Sequence, residues 1–416
     1  SIYTMHKLHV MIAHPTFINR RHSPEWPDTA FWYDRTRAKG IMELYISTRG
    51  LAMSQTQVVS APITIERIAD KVYSGEPLSF EDGVWLFRYP CLPEIAALAD
   101  FVRQRIHPNR IVTYVVGRII NYTNVCWVRC KFCSFYRVPG DAEGYTLSLD
   151  EIFAKIQELV DVGGVEVLIQ GGLNPRLKLD YYENLFSAIR ERFPQVIIHA
   201  LSPTEIIYIA HISRLSIEQT LYRLREAGLQ SIPGGGGEIL VDRVRAQIAP
   251  YKHTVDEWLS CMRIAHEMGI YSTATMMFGH VETIEDRVEH LLRIRQLQER
   301  TGGFRAFIAW NFQPEETELP HIPKASGYDY LRTVAIARLI LHNVPNLQAS
   351  ILTQGPKITQ IALGYGINDL GSIMIEENVV SAAGSKFIPT ASEMERLIRG
   401  AGYEPRRRNT RYELLD

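Results

Sequence analysis

Apolar residues first acquire a period at Ile65, Ile68, Ala69 and Val72, a spacing that lines one face of a helix. Gly75-Glu-Pro-Leu-Ser79 interrupts the stripe, and Asp82 opens a second helical stretch. From about residue 111 the pattern changes. Short β-branched runs alternate with longer amphipathic stretches: Ile119 to Val125, Val165 to Gln170, Val196 to Leu201, Leu229 to Ile232, Tyr271 to Phe278, Phe304 to Trp310 and Leu347 to Leu352. Their starts recur every 31 to 46 residues. The helix openings between them carry capping boxes, Ser148 with Glu151, Ser216 with Gln219 and Thr254 with Glu257, in which the hydroxyl caps a backbone amide and the third residue reaches back. Strand, loop and capped helix in repetition predict an α/β fold, a complete or nearly complete (β/α)8 barrel with a helical N-terminal cap. An open doubly wound sheet shares this grammar, but no G-x-G-x-x-G follows the first strand.

The pattern divides the chain into an extension over 1–52, a helical cap over 53–110, a barrel over 111–385, and a C-terminal helix and tail over 386–416. Residues 1–52 are rich in aromatics, His and Arg without a clear period, and Met53 is a candidate true start. Leu8 to Ala13 is apolar but holds His9 and is followed by Pro15, Arg20 and Arg21, which does not read as a signal peptide.

Composition narrows the function. The 416 residues are 46% hydrophobic and 22% charged, with room for one barrel of about 250 residues and additions. Forty-five Lys and Arg against 46 Asp and Glu leave a net charge of -1, so no overall field draws the chain to nucleic acid. No run approaches the roughly 20 apolar residues of a membrane span, since even Val334 to Leu341 contains Arg338. The Arg406-Arg-Arg408 triplet reads as solvated surface. Five cysteines, three of them clustered, fit a reducing compartment and so a cytoplasmic protein.

Those three are the strongest signal. Cys126, Cys130 and Cys133 follow the first predicted strand as C-x3-C-x2-C, and three thiolates on one loop can hold three irons of a four-iron cluster while the fourth stays open. Structural zinc in a non-catalytic binding protein is the alternative of another class. It wants a closed shell, and no second cysteine pair follows, only Cys261. In a barrel the residues just beyond the strand ends draw most suspicion: Gln170-Gly-Gly172, Ser202 to Glu205, Gly234 to Glu238, His280 and Asn311 to Gln313. Four consecutive glycines let backbone approach a ligand closely, with Glu238 either reaching a ribose hydroxyl or amine or capping the next helix. His280 is a candidate proton acceptor.

The cysteine loop, with Phe132 ahead of its third cysteine, resembles the signature of the radical S-adenosylmethionine (SAM) enzymes. The resemblance implies a 4Fe-4S cluster on Cys126, Cys130 and Cys133, with SAM on the open iron. It sets Phe132 near the adenine and makes Gln170, Gly171, Gly172, Ser202 and Glu238 cofactor contacts. Leu173 stands where that superfamily usually has an acidic residue after two glycines. Further segments, Ser231-Ile-Pro-Gly-Gly-Gly-Gly-Glu238, Thr275-Met-Met-Phe-Gly-His-Val-Glu-Thr283 and Glu376-Glu-Asn-Val-Val380, are similar to the cyclic dehypoxanthinyl futalosine synthases, over about residues 60 to 412. The aminofutalosine synthases and F0 synthase subunits share the cysteine loop and are the alternative within the superfamily. The resemblance implies an enzyme of menaquinone biosynthesis that closes dehypoxanthine futalosine into its cyclic form, with flavodoxin or ferredoxin as electron donor. A late step releases a proton, for which His280 or Glu238 is the expected base. Arg137, Arg243 and Arg305 are candidates for the substrate carboxylate, and Tyr136, Trp310 and Phe312 for its ring.

Overall fold

The computed structural model describes residues 62–373, 375, 376, 378 and 389–415; the expected extension over 1–52 lies outside them. Three helices come first: α1 (Ile65–Ser74), α2 (Phe80–Arg88) and α3 (Leu92–Ile106). Ser79 caps α2, and Asp82 is the third residue of its capping box rather than its opening residue. They pack on α10 (Ile284–Thr301) and α11 (Gly327–Ile340), where Gly83 comes so close that a Cβ would sit 2.8 Å from Val288.

The strands are β1 (Ile111–Val115), β2 (Gly117–Ile120), β3 (Glu166–Ile169), β4 (Ile197–Ala200), β5 (Ser231–Ile232), β6 (Tyr271–Phe278), β7 (Phe304–Asn311), β8 (Asn346–Gln348), β9 (Asp369–Ser372) and β10 (Glu404–Arg407). Every pairing is parallel, and neighbours run β10-β1-β9-β8-β7-β6-β5-β4-β3-β2. Only Val116 separates β1 from β2. The first half of this run pairs with β9 and β10, the second with β3, so the run closes eight strand positions into a ring and β10 is added at its N-terminal end. Between the strands lie α4 (Leu149–Asp161), α5 (Leu179–Arg192), α6 (Pro203–Ser213), α7 (Ile217–Ala227), α8 (Asp242–Ile248), α9 (Val255–Glu267), α10, α11 and α12 (Ile351–Ala362), with α13 (Ala391–Gly400) before β10. The three predicted capping boxes are present.

Two expectations are corrected, and one strand is added. The first strand begins at Ile111 and ends at Ile120. Asn121 to Asn124 give their carbonyls to other segments instead, Tyr122 to the Leu147 amide and Thr123 to that of Gly172. The run Leu347 to Leu352 splits, with β8 ending at Gln348 and α12 beginning at Ile351. The unpredicted β9 is a sequence of turn type, Asp-Leu-Gly-Ser with Gly371 at φ 79°, held extended by β8 and β1 on either side.

The apolar helix α11 is buried all round between strands and N-terminal helices. Arg338 within it is fully buried, and its guanidinium donates to the carbonyls of Gly366 (2.9 Å) and Val344 (3.1 Å) and to Asn368 Oδ1 (2.8 Å). Burial lowers its pKa to about 9. The tail seals the barrel floor: the Arg408 amide donates to Tyr114 O at 2.9 Å and Arg411 Nε to the Tyr271 hydroxyl at 3.1 Å. Arg408 is therefore not solvated surface. It is buried on Asp369, at 2.5 and 2.9 Å.

Candidate active site

The cysteine loop is clipped at its base and braced at its tip. Arg137 N donates to Asn124 O and Cys126 N to Arg137 O, both at 2.8 Å, while Lys131 N reaches Ile248 O and Glu318 N reaches Lys131 O, both at 2.9 Å. Arg129 takes the left-handed conformation, φ 53°, to turn the chain between the first two cysteines. Cys126 and Cys130 are buried and Cys133 is half-buried. Burial pushes the Cys130 thiol up to about 12 and raises Cys133, whose sulfur receives the opposing amides of Phe135 and Tyr136. Buried thiols of this kind ionise when a metal centre supplies the positive charge. Among the described residues no three His, Cys, Asp or Glu side chains surround one point as ligands of a single ion do. A four-iron cluster asks instead for one thiolate on each of three irons, and the loop carries that donor set.

The loop after β3 touches the cysteine loop through glycine. A Cβ on Gly172 would lie 2.3 Å from Val125 O and 2.9 Å from Cys126 Cβ. Gly171 N donates to Glu205 Oε1 at 3.0 Å. Glu205 also accepts from the Tyr122 hydroxyl (3.0 Å), Ser202 N (2.7 Å) and Ser202 Oγ (2.8 Å). Ser202 is thus the N-cap of α6, its hydroxyl engaged in the capping box. Burial raises the Glu205 carboxyl, and the amides of Ser202 and Gly171 oppose that shift.

Inside the ring lies a cavity of about 300 Å³, lined at its upper end by Gln170, Gly235, Gly236, Glu238 and Trp310 and at its floor by Arg408 and Tyr412. Gly236, at φ 78°, would place a Cβ 1.9 Å from Thr204 Oγ1, and one on Gly235 would lie 2.9 Å from Gln170 Nε2. Only glycine lets this backbone line the wall. Glu238 is buried at φ 43°, its Oε1 accepting from Lys252 Nζ at 2.8 Å and its Oε2 lying 3.5 Å from Arg245. Burial alone would raise its carboxyl, but the two cations lower it. It does not cap the next helix, since α8 starts at Asp242 with Val241 before it. Lys252 Nζ also stands 5.2 Å over the Phe132 ring, so Phe132, Lys252 and Glu238 form one group.

His280 lies elsewhere, which corrects the expectation of an imidazole open to the pocket. Its side chain is buried, Nε2 donates to Met277 O at 3.0 Å, Nδ1 accepts from Val281 N at 2.7 Å, and it does not line the cavity. Desolvation lowers its pKa. The candidate arginines are also outside the lining. Arg137 pairs with Glu143 at 2.7 Å, Arg243 with Asp286 at 2.7 Å, and Arg305 stacks 5.5 Å from the Tyr271 ring centre. Trp310 lines the cavity, Phe312 packs in the core beside His280, and the Tyr136 hydroxyl donates to Glu318 at 3.3 Å. Sequence reasoning missed Arg245 and Lys252, which stand in no strand-end position. It also passed over Glu166 and His199, whose only signal is a polar residue inside an apolar strand run.

A parallel barrel whose first strand delivers this cysteine loop defines a radical SAM enzyme, and the chain belongs to the radical SAM superfamily, whose family model matches residues 120–294. Residues 301–416 match the CofH/MqnC C-terminal region. The chain is similar to the cyclic dehypoxanthine futalosine synthase of Halalkalibacterium halodurans, 46% identical over 353 residues covering 85% of this chain and 95% of the relative. The protein of that name from Streptomyces coelicolor is 45% identical over 354 residues, 84% of this chain and 89% of the relative. The crystal structure of methylornithine synthase (PylB) shares the fold, with a TM-score of 0.65 at 18% identity over 81% of this chain and 97% of that one. Membership implies a 4Fe-4S cluster and SAM. Among the described residues no helix is long and apolar enough to cross a membrane.

Proposed function

We propose that this enzyme converts dehypoxanthine futalosine to its cyclic form in menaquinone biosynthesis. The observation that carries the reading is the cavity: enclosed by the ring, sealed below by the tail, and lined by both apolar walls and hydrogen-bonding groups suited to a ribose joined to an aromatic ring. The two relatives named for that reaction support the substrate.

Cys126, Cys130 and Cys133 hold the cluster in this reading. A cluster held there with SAM would supply the chemistry of hydrogen abstraction from the substrate ribose. Gln170, Gly171 and Gly172 form one wall of the SAM site and Ser202 backs it through the Glu205 cap. Phe132 lies on the adenine side, and Glu238, kept ionised by Lys252 and Arg245, accepts from ribose hydroxyls or the methionyl amine. The apolar surroundings keep water from reactive carbon. Flavodoxin or ferredoxin supplies the electron, in the reducing cytoplasm.

Oxygen-free purification and reconstitution test this. The expected protein is brown with about four irons, lost in the Cys126, Cys130, Cys133 triple alanine variant. With SAM, a reductant and dehypoxanthine futalosine it forms 5'-deoxyadenosine and a product lighter by two hydrogen atoms. A colourless zinc protein, or SAM cleavage that never yields this product, overturns the reading.

A further inference from the structure

His199 and Glu166 stand inside the barrel without a role in the scheme above. His199 is the third residue of β4 and Glu166 the first of β3, and the register pairs His199 with Leu168. Both side chains line the cavity, with Glu166 one inward step nearer the floor. Their exposures are 6% for His199 and 8% for Glu166. His199 Nδ1 lies 2.8 Å from Ser231 Oγ, and among the described residues its Nε2 and the Glu166 carboxylate have no hydrogen-bond or ion-pair partner. An ionisable pair buried to that degree without partners is costly unless something in the cavity completes it. Arg408, whose charge acts on both groups, is already committed to Asp369.

We propose that His199 is the base that accepts the proton released when the cyclised ring regains aromaticity, with Glu166 balancing the imidazolium. The assignment rests on the futalosine reading. After the ribose carbon radical has added to the ring, the ring C–H bond breaks: its proton goes to His199 Nε2, its electron pair restores the aromatic ring, and the surplus electron leaves to an iron–sulfur acceptor. The Ser231 contact occupies Nδ1, and with Nδ1–H donated there the Nε2 lone pair is left for the substrate. Burial and Arg408 lower the pKa of the imidazole while Glu166 raises it, and burial is the largest effect, so the ring is neutral and ready near neutral pH. His280 has no such free nitrogen, and Glu238 is held by two cations.

The test compares wild type with H199Q and S231A, all reconstituted to equal iron content and checked by thermal melting, counting cyclic product per SAM cleaved. H199Q is expected to cleave SAM in response to dehypoxanthine futalosine but to lose product formation by about 100-fold or more, the scale of one general base. S231A, which keeps the ring but not its orienting partner, is expected to show a smaller fall in the same ratio. An unchanged ratio in H199Q, or equal loss of cleavage and product, overturns the assignment. If H199Q does not fold, an unchanged ratio in S231A overturns it equally. Wild type inert toward this substrate sinks the futalosine reading and the base with it, whereas active wild type with unaffected variants sinks the base alone.

Discussion

The Gly171 amide lies 3.0 Å from Glu205 Oε1, and this bond ties the loop after β3 to the first turn of α6. One buried carboxylate thereby serves the helix cap, the glycine loop and the Tyr122 hydroxyl on the cysteine side of the barrel. Glu205→Gln presents an amide donor to groups that themselves donate. The expected cost is about 2 to 4 kcal/mol, because a buried donor is left unpaired. A thermal melt in the wild-type range would show that these bonds do not carry the junction.

Gly172 is a contact point between two loops. Gly172→Ala drives a methyl into Val125 O and must displace the cysteine segment, so reconstituted iron per chain is expected to fall well below wild type. Gly269→Ala is the control. Gly269 has positive φ, 78°, but nothing within 4 Å of the added methyl, so about 1 to 2 kcal/mol of backbone strain is expected with iron content unchanged. Equal iron loading in both variants contradicts the close-approach argument.

The floor of the cavity depends on a buried ion pair. Arg408→Met strands Asp369 beneath the barrel, and the expected loss is about 3 to 5 kcal/mol in denaturant unfolding. Asp369 retains bonds from Thr113 Oγ1 (2.5 Å) and the Gly371 amide (2.8 Å), which soften the loss without replacing the charge. A change under about 1 kcal/mol would mean that water reaches the carboxylate.

Acid sensitivity should be concentrated at Glu376. Burial raises its carboxyl, but hydrogen bonds from Lys155 (2.6 Å) and Arg118 (2.8 Å) outweigh that and bring it to about 2, against 4.5 unperturbed. The folded value is the lower one, so its stabilisation is present above 4.5 and lost as pH falls toward 2. Glu376→Gln should therefore lower the urea midpoint at pH 7 and converge on wild type near pH 2. An equal deficit at both pH values would exclude titration of this group.

The barrel was legible wherever local chemistry and tertiary environment agree. β6 runs over Tyr271–Phe278 as its short β-branched run predicts, and the boxes at Ser148, Ser216 and Thr254 cap the helices that they announce. The cysteine loop was legible for the same reason, since its three cysteines lie within eight residues. By itself, then, the chain determined its repeating strand-and-helix units and its cysteine loop, because turns, caps and clustered thiols act over a few residues. Tertiary structure decided the rest. It made Asp369–Ser372 a strand, drew Arg408 from an expected surface into the floor, withdrew His280 from the cavity, and faced Glu166 and His199 into it from neighbouring strands. Ring closure alone decides which residues of distant segments meet across a barrel, and burial then sets the charge that each of them can bear.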